Sequence, residues 1–467
     1  MMKPDNARGR IETCAKYLKY VLIAAPALAC LYLVLRYGVN MIYGDEWIMV
    51  KIGMKVQAGT FTLADLWSTF NEHRQLFYRL VYLGLGFLTG FNIKAVLLVS
   101  FALVCAGYFV MIRYLFATVK DELWRCAGGL VLGLLMFSLA QYENFLWGLQ
   151  LAFFMADILP LISVYFLHRR LATGKRRYFI FAMALGVVAS FSSAQGLLVW
   201  PAALVMLALH YRKTIFRQKM AAGWLAAGAA SWFFYFYGLY ANAFGDILPF
   251  RDHVSYLVKH PFTFLYTTAR MAVKPFVGIG DLRPGNALCV LAVACAVALL
   301  GFKLVTRYKE DDFFPGAMAL FGALSVVVIT FSRQVWDMTN SSRYTTATLC
   351  IYTGAALYAL ANRDIFKKKA KARENGGKPR DSFLRYTAAV LLSAIVLISA
   401  RTWFEGYFIF KYQSERYAAC AKMFKEYKVA DDAALLHISQ YSCLQTVDET
   451  REMLRFLEEN GYSVFAG

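Results

Sequence analysis

Long runs of mostly apolar residues alternate with short polar connectors along almost the whole chain. The runs fall near 17–38, 94–117, 126–142, 149–168, 178–192, 196–210, 220–241, 286–304, 314–331, 343–361 and 384–401. A straight helix needs about 20 apolar residues to cross the hydrocarbon core. Backbone polar groups are satisfied there only within helices or closed barrels. The pattern predicts an all-α polytopic membrane protein with about 11 spans. The runs at 178–192 and 196–210 are short, and tilted or partly re-entrant segments are expected there. No repeat of about 20–50 residues is visible, which argues against a solenoid, and no inverted repeat stands out.

Composition agrees. The 467 residues are 59% hydrophobic and 17% charged, with a mean hydropathy of +0.46, more apolar surface than a soluble chain of this length hides. The net charge of +20 would suit nucleic acid, but the basic residues lie in short runs between apolar segments, as in cytoplasmic loops. Nucleic acid is therefore not an expected partner. The N-terminus holds Lys3, Arg8, Arg10, Lys16 and Lys19. The loops at 169–177, 211–219 and 362–383 are likewise basic. An odd number of spans with the N-terminus inside puts all of these in the cytoplasm. The first apolar run is too long for a signal peptide and lacks a small-residue cleavage site.

The other side then receives the loop 39–93, the turns around 141–147, 192–196 and 332–337, the loop 242–285, and the tail 402–467. Topology was assigned from basic loops alone, yet the polar and aromatic clusters all reach one face. Asp45-Glu46 follows the first apolar run directly, and Asn71-Glu72-His73-Arg74 comes later in the same loop. Within 61–76, Thr62 with Asp65 has capping-box spacing. Leu63, Leu66, Trp67 and Phe70 recur at helical spacing, so an amphipathic interfacial helix is expected over 61–76, with a second helix over 76–90.

Charged groups gathered at a membrane edge are costly unless they are used. Asp45 or Glu46 could act as a general base. Either could equally cap a helix beside an interfacial Trp47. Arg74, Arg333 and Arg343, with His73, are candidates for holding a phosphate, arginine being favoured by its donor fork. Trp47, Trp147 and Tyr344 could stack on sugar rings, and each alone fits an ordinary aromatic belt. Asn71, Glu72, Glu143, Asn144, Gln150 and Gln195 complete the polar set. No ligand spacing typical of a metal site is present, and no metal is expected.

The strings Gly44-Asp45-Glu46-Trp47, Asn71-Glu72-His73-Arg74, Gln141-Tyr142-Glu143-Asn144 with Trp147-Gly148-Leu149-Gln150, and Ser342-Arg343-Tyr344 resemble those of the GT-C superfamily of polytopic membrane glycosyltransferases. Within it they resemble bacterial proteins akin to O-antigen-modifying glucosyltransferases. The resemblance implies a GT-C-like bundle over 1–401, with interfacial helices in the first periplasmic loop at 39–93. It implies inverting transfer of a monosaccharide from a polyprenyl-phosphate donor to a cell-envelope glycan or glycolipid at the periplasmic face of the bacterial inner membrane. Asp45 would be the base, with a swap to Glu46 left open, and Glu72 or Glu143 would bind sugar hydroxyls. It implies no cofactor, the lipid-linked sugar being a substrate, and a separate flippase and donor synthase as partners.

Residues 402–467 are expected to form a small outer domain with helices near 415–427 and 447–460. Cys420 and Cys443 there could pair if the compartment is oxidising. Three other classes compete, one of them a non-enzymatic scaffold, whose outer loops need not carry clustered acids and arginines. A lipid-linked glycan transporter should show polar or broken helices near mid-membrane, whereas here the polar clusters sit at one edge. An O-antigen ligase or polymerase would use similar donors, but without an acid directly after the first span.

Overall fold

The computed structural model describes residues 4–239, 243–244, 248–277, 293–298, 301, 308–336, 341–362, 379–433, 435 and 446–466. These are almost entirely helical. The helices are α1 (Pro4–Tyr37), α2 (Trp47–Gln57), α3 (Leu63–Trp67), α4 (Leu76–Thr89), α5 (Ile93–Thr118), α6 (Glu122–Met136), α7 (Tyr142–Leu146), α8 (Leu151–Thr173), α9 (Arg176–Ser190), α10 (Val199–Tyr211), α11 (Lys219–Phe236), α12 (Phe250–Lys259), α13 (Pro261–Val277), α14 (Phe313–Arg333), α15 (Thr345–Ala361), α16 (Pro379–Lys425) and α17 (Val447–Glu459). Among the described residues, seven helical segments are long and apolar enough to cross a membrane. They coincide with seven of the expected runs. Of the other four, α9 has 15 residues, α11 has 18 and α15 has 17, each short of the roughly 20 that a straight span needs. The run 286–304 lies largely outside the described residues, as do Cys443 and most of the basic segment 362–383.

Helices α14 and α15 form an antiparallel hairpin that positions both candidate arginines, Arg333 at the end of one helix and Arg343 just before the start of the other. Glycines let the two backbones meet. A Cβ at Gly322 would lie 2.8 Å from the Ala347 carbonyl oxygen, and one at Gly354 would lie 2.6 Å from that of Pro315. Small residues at such contacts are what bring helices close where no hydrophobic effect drives them together.

The first loop departs from expectation in one segment. Thr62 does cap a helix, its backbone N–H and hydroxyl donating to the Asp65 carboxylate at 2.8 and 2.9 Å. The helix stops at Trp67, however, instead of running to 76. Residues Thr69–Phe70 (β1) and His73–Arg74 (β2) form a small antiparallel hairpin, with Ala243–Phe244 (β3) parallel to β1. The physical reason lies in the carbonyls that a longer helix would have used. Arg79 Nη1 takes those of Asp65 and Ser68 at 2.7 and 2.8 Å, and Arg74 Nη1 takes that of Trp67 at 2.7 Å. The two-residue turn begins at Asn71, whose φ of 48° is a left-handed value that Asn tolerates better than most residues. The second helix forms as expected, as α4, and ends at Gly90 with φ 67°, a common left-handed stop. Helix α2 starts at Trp47, where the capping alternative put a helix, with Glu46 at the cap position but making no side-chain cap bond.

The tail also differs. The proposed boundary at 401 falls inside α16, one unbroken helix of 47 residues. At about 1.5 Å per residue it far exceeds a hydrocarbon core of about 30 Å, and its last turns pack on the first loop, Phe424 against Trp47 at 5.3 Å. Helix α17 and the residues after it add to this contact. Ser463 N–H donates to the Gly90 carbonyl at 2.8 Å, Asn40 Nδ2 donates to the Ser463 carbonyl at 2.7 Å, and Lys51 pairs with Glu449. The tail is thus a strap on the first loop. Cys420 is a free, half-buried thiol.

Replacing Gly354 by Val should force α14 and α15 apart and cost about 1–3 kcal/mol, the usual penalty for overpacking. Thermal unfolding of the detergent-solubilised protein measures this, and an unchanged transition would refute the close approach.

Candidate functional site

One cavity of about 400 Å³ lies where the loop after α1, the β-hairpin, the starts of α8 and α15 and the ends of α7 and α14 converge. That volume falls in the usual small-molecule range of roughly 300–1,000 Å³. Tyr43 and Asp45 line it from the first loop, and Phe70, Asn71, His73 and Gln75 from the hairpin. Glu143, Trp147, Leu149 and Phe153 come from α7 and α8, and Arg333, Arg343 and Tyr344 from the α14–α15 hairpin.

Asp45 sits in a single 3-10 turn, Gly44–Glu46. It is half-buried and accepts no hydrogen bond among the described residues. Burial raises its carboxyl above the ordinary value, while Arg343 and Arg333 pull the other way. Glu46, next in the chain, points elsewhere. It is fully buried, and its carboxylate accepts from the Tyr43 N–H at 3.1 Å and the Tyr82 hydroxyl at 3.0 Å. Burial without a cation lifts it to about 8, against those donors. A Cβ on Gly148 would collide with this carboxylate. Glu46 therefore braces the turn and does not line the cavity.

The three candidate arginines separate by their partners. Arg74 is buried and faces away from the cavity. Its guanidinium donates to the carbonyls of Tyr235 and Trp67, both at 2.7 Å, and to that of Tyr237, and it stands over the Trp67 ring at 4.7 Å. Arg333 lines the cavity but is paired with the Glu72 carboxylate. Arg343 donates through Nε to Ser341 Oγ at 2.8 Å and lies over the rings of Trp147 and Tyr344 at 5.6 and 5.7 Å. Glu143 accepts from the Arg343 backbone N–H at 2.9 Å and from Ser341 Oγ at 2.6 Å, fixing the turn while leaving the guanidinium charge uncompensated. Among the described residues no carboxylate lies within ion-pair distance of Arg343.

His73 is neutral near pH 7. Burial lowers its imidazole to about 4, with Arg333 and Arg343 adding to the effect and Glu72 opposing it. Its Nε2 accepts from Arg333 Nη2 at 3.0 Å. Its Nδ1 lies 3.4 Å from Ser193 Oγ, whose own proton goes to Gln195 Oε1 at 2.6 Å. The chain of donors sets one tautomer, Nδ1–H. His73 accordingly orients Arg333 and supplies no positive charge, and Gln195 acts at the far end of that relay.

Several other expected residues serve packing or backbone. Trp47 is buried against Phe424. Asn144 donates to the Arg343 carbonyl at 3.0 Å and Thr346 Oγ1 at 2.7 Å. Gln150 is wholly buried and outside the cavity lining. Trp147 does line it, donating through Nε1 to the Tyr43 carbonyl at 2.8 Å.

Gln75, Tyr43, Phe70, Leu149 and Phe153 line the cavity unforeseen. The hairpin explains the third. Directly paired residues share a face, so Phe70 and its partner His73 both line the cavity, whereas Thr69 and Arg74 face the chain at 235–239. Gln75 enters where the strand ends, as the residue before α4. Among the described residues no group of three His, Cys, Asp or Glu side chains is placed to hold a metal. No protein-family model matches the chain, and no curated protein is significantly similar to it.

Glu46 makes stability fall as pH rises. A carboxyl held near 8 when folded and near 4.5 when unfolded favours the folded state fully below the lower value, and this advantage is lost as pH climbs toward the higher, at up to about 1.4 kcal/mol per pH unit. His73 acts in the opposite sense, its advantage being lost as pH falls from 6.5 toward 4. Glu46→Gln should therefore flatten the loss of thermal stability between pH 6.5 and 8, where His73 is silent. A slope equal to that of the wild type would remove the assignment. Arg74→Ala strands three backbone carbonyls and should cost about 3 kcal/mol or more in the same assay.

Proposed function

We propose that this cavity is the active site of a GT-C-like inverting glycosyltransferase of the bacterial inner membrane, facing the periplasm from a bundle of about 11 spans. It would move a monosaccharide from a polyprenyl-phosphate donor to a cell-envelope glycan or glycolipid. The observation that carries the reading is a carboxylate without a hydrogen-bond partner among the described residues, Asp45, in one cavity with a guanidinium that has no counter-charge among them, Arg343, at the ends of long apolar helices.

The roles follow from these environments. An acceptor hydroxyl attacks the anomeric carbon, and Asp45 takes its proton. The bond from that carbon to the phosphate oxygen breaks, and its electron pair leaves with the polyprenyl phosphate. Attack opposite the leaving group inverts the anomeric centre. Arg343 meets the charge that grows on the leaving phosphate, and such preorganised stabilisation is usually a large contribution to catalysis. Arg333, already balanced by Glu72 and held by His73, shapes the field around Asp45. Trp147 and Tyr344 hold the Arg343 plane by cation–π contact, and the sugar packs near them. The lipid tail of the donor lies along the apolar helix surface.

The test is transfer by purified protein from a panel of radiolabelled polyprenyl-phosphate sugars to a crude envelope glycan. Asp45→Asn should lower the rate by about 10²–10⁴-fold, and Arg343→Ala should weaken donor binding without lowering the unfolding temperature. Normal transfer by Asp45→Asn removes it as the base. The pH profile is a second check. Because burial raises Asp45, transfer should fail on the acid side as its carboxylate is protonated. Arg343→Ala, by removing a charge that holds that carboxyl down, should move the acid limb to higher pH.

A further inference from the structure

The hairpin brings a third polar side chain into the cavity beside the acid and the arginines. Gln75 is 2% exposed, lines the cavity, and its Oε1 has no hydrogen-bond partner. Among the described residues Asn144, Gln150 and Gln334 also carry a buried amide oxygen without a partner, but of these four side chains Gln75 alone lines the cavity, and an unpaired buried polar atom facing a cavity calls for a reason. Packing does not supply one, since a leucine would fill the same volume without an unpaired polar atom. The surroundings do. Gln75 stands at the end of the hairpin as the residue before α4, and the cavity it lines with His73 also holds Asp45 and the aromatic groups Tyr43 and Trp147.

We propose that Gln75 hydrogen-bonds a ring hydroxyl of the transferred sugar and thereby helps select which sugar the cavity accepts. The inference rests on the glycosyltransferase reading and deepens it. A hydroxyl fits because it both donates and accepts, so it can pair with either end of an amide. Rotation about the terminal side-chain torsion, which is soft for an amide, turns the buried oxygen toward the ligand. A phosphate fits less well, because it would repel that oxygen. The phosphate is accordingly left to Arg343, and the sugar ring to the Gln75 side of the cavity. A site built to pair a substrate hydroxyl also discriminates strongly against analogues lacking it.

The test compares wild type and Gln75→Leu with two probes in detergent: undecaprenyl phosphate alone, and undecaprenyl phosphate carrying glucose, galactose or mannose. For the sugar lipid that the wild type prefers, Gln75→Leu should weaken binding about tenfold. Binding of bare undecaprenyl phosphate should be unchanged, and the unliganded unfolding temperature equal or higher. Gln75→Asn, which keeps the amide one methylene shorter, should recover part of the lost preference. A lowered unfolding temperature with the sugar preference intact would make Gln75 structural and overturn the inference alone. Equal losses for both probes would do the same. Failure of the wild type to bind either probe would overturn the glycosyltransferase reading, and this inference with it.

Discussion

In a chain mostly surrounded by apolar material, a polar group that loses water must find a partner inside the protein, and this constraint organises the end of the bundle where the cavity lies. Helix ends expose carbonyls and N–H groups that the helix itself cannot satisfy, and the loops there are rich in such ends. The chain meets the demand with long side chains. Arg74 and Arg79 gather carbonyls from 65–68 and 235–237, Glu46 takes an N–H at the turn of the first loop, and Glu143 takes the Arg343 N–H. Most of the conspicuous charges are consumed by backbone in this way. Among the described residues, the Asp45 carboxylate, the Arg343 guanidinium charge and the Gln75 amide oxygen are not consumed in this way, and all three residues line the cavity.

Balance of charge then decides between groups that look equivalent in the sequence. Arg333 and Arg343 both reach the cavity, yet Glu72 neutralises one, while Glu143 holds a backbone N–H and a serine through its Oε2 and makes no ion pair with the other among the described residues. An ion pair already formed offers an incoming anion little, because binding must first compensate the carboxylate. A guanidinium in contact with two aromatic rings and bonded to a serine has lost part of its freedom beforehand. The same logic separates the adjacent acids. In a 3-10 turn successive side chains point about 120° apart, so Asp45 and Glu46 cannot share an environment. Gly148 leaves room for the Glu46 carboxylate, and Asp45 is thereby turned to the cavity.

Much of the helical layout was legible because hydrophobic runs report burial in lipid or protein directly. The convergence of Asp45, His73, Glu143, Arg333 and Arg343 was also legible, since loop charges alone assigned all five to one side. The hairpin was not. Leu63, Leu66, Trp67 and Phe70 satisfy a helical period, and nothing local shows that two arginines from further along take the carbonyls a longer helix would need. That error had a consequence at the site. A helix or an unstructured loop lets Glu72, His73 and Arg74 act as one cluster, whereas the strand sends Arg74 to the opposite face and brings Gln75 in. Gln75 lies at the switch from strand to α4, and no periodicity in the sequence marks which way a side chain points at such a junction. The tail failed for a related reason. Polar composition after 401 suggested a separate domain, but charge on a helix marks where it leaves the apolar layer, not where it ends.

The strap formed by the tail completes the mechanical picture. A catalytic acid on a loop is useful only if the loop is held to within a fraction of an ångström of productive geometry. Residues 39–93 are held on one side by bonds from Thr69 and Arg74 to the chain at 235–239. Contacts from the tail supply further restraint: Tyr417 stands 4.8 Å from the Tyr43 ring, Phe424 packs on Trp47, and Tyr462 packs on Phe91 at 5.3 Å. Tyr43 is the residue before the Gly44–Glu46 turn, and its carbonyl is the acceptor for Trp147. The turn carrying Asp45 is thus gripped between α8 beneath and α16 above. The length of α16 beyond any membrane span becomes intelligible in these terms, because its last turns are the ones that pack on the loop carrying Asp45.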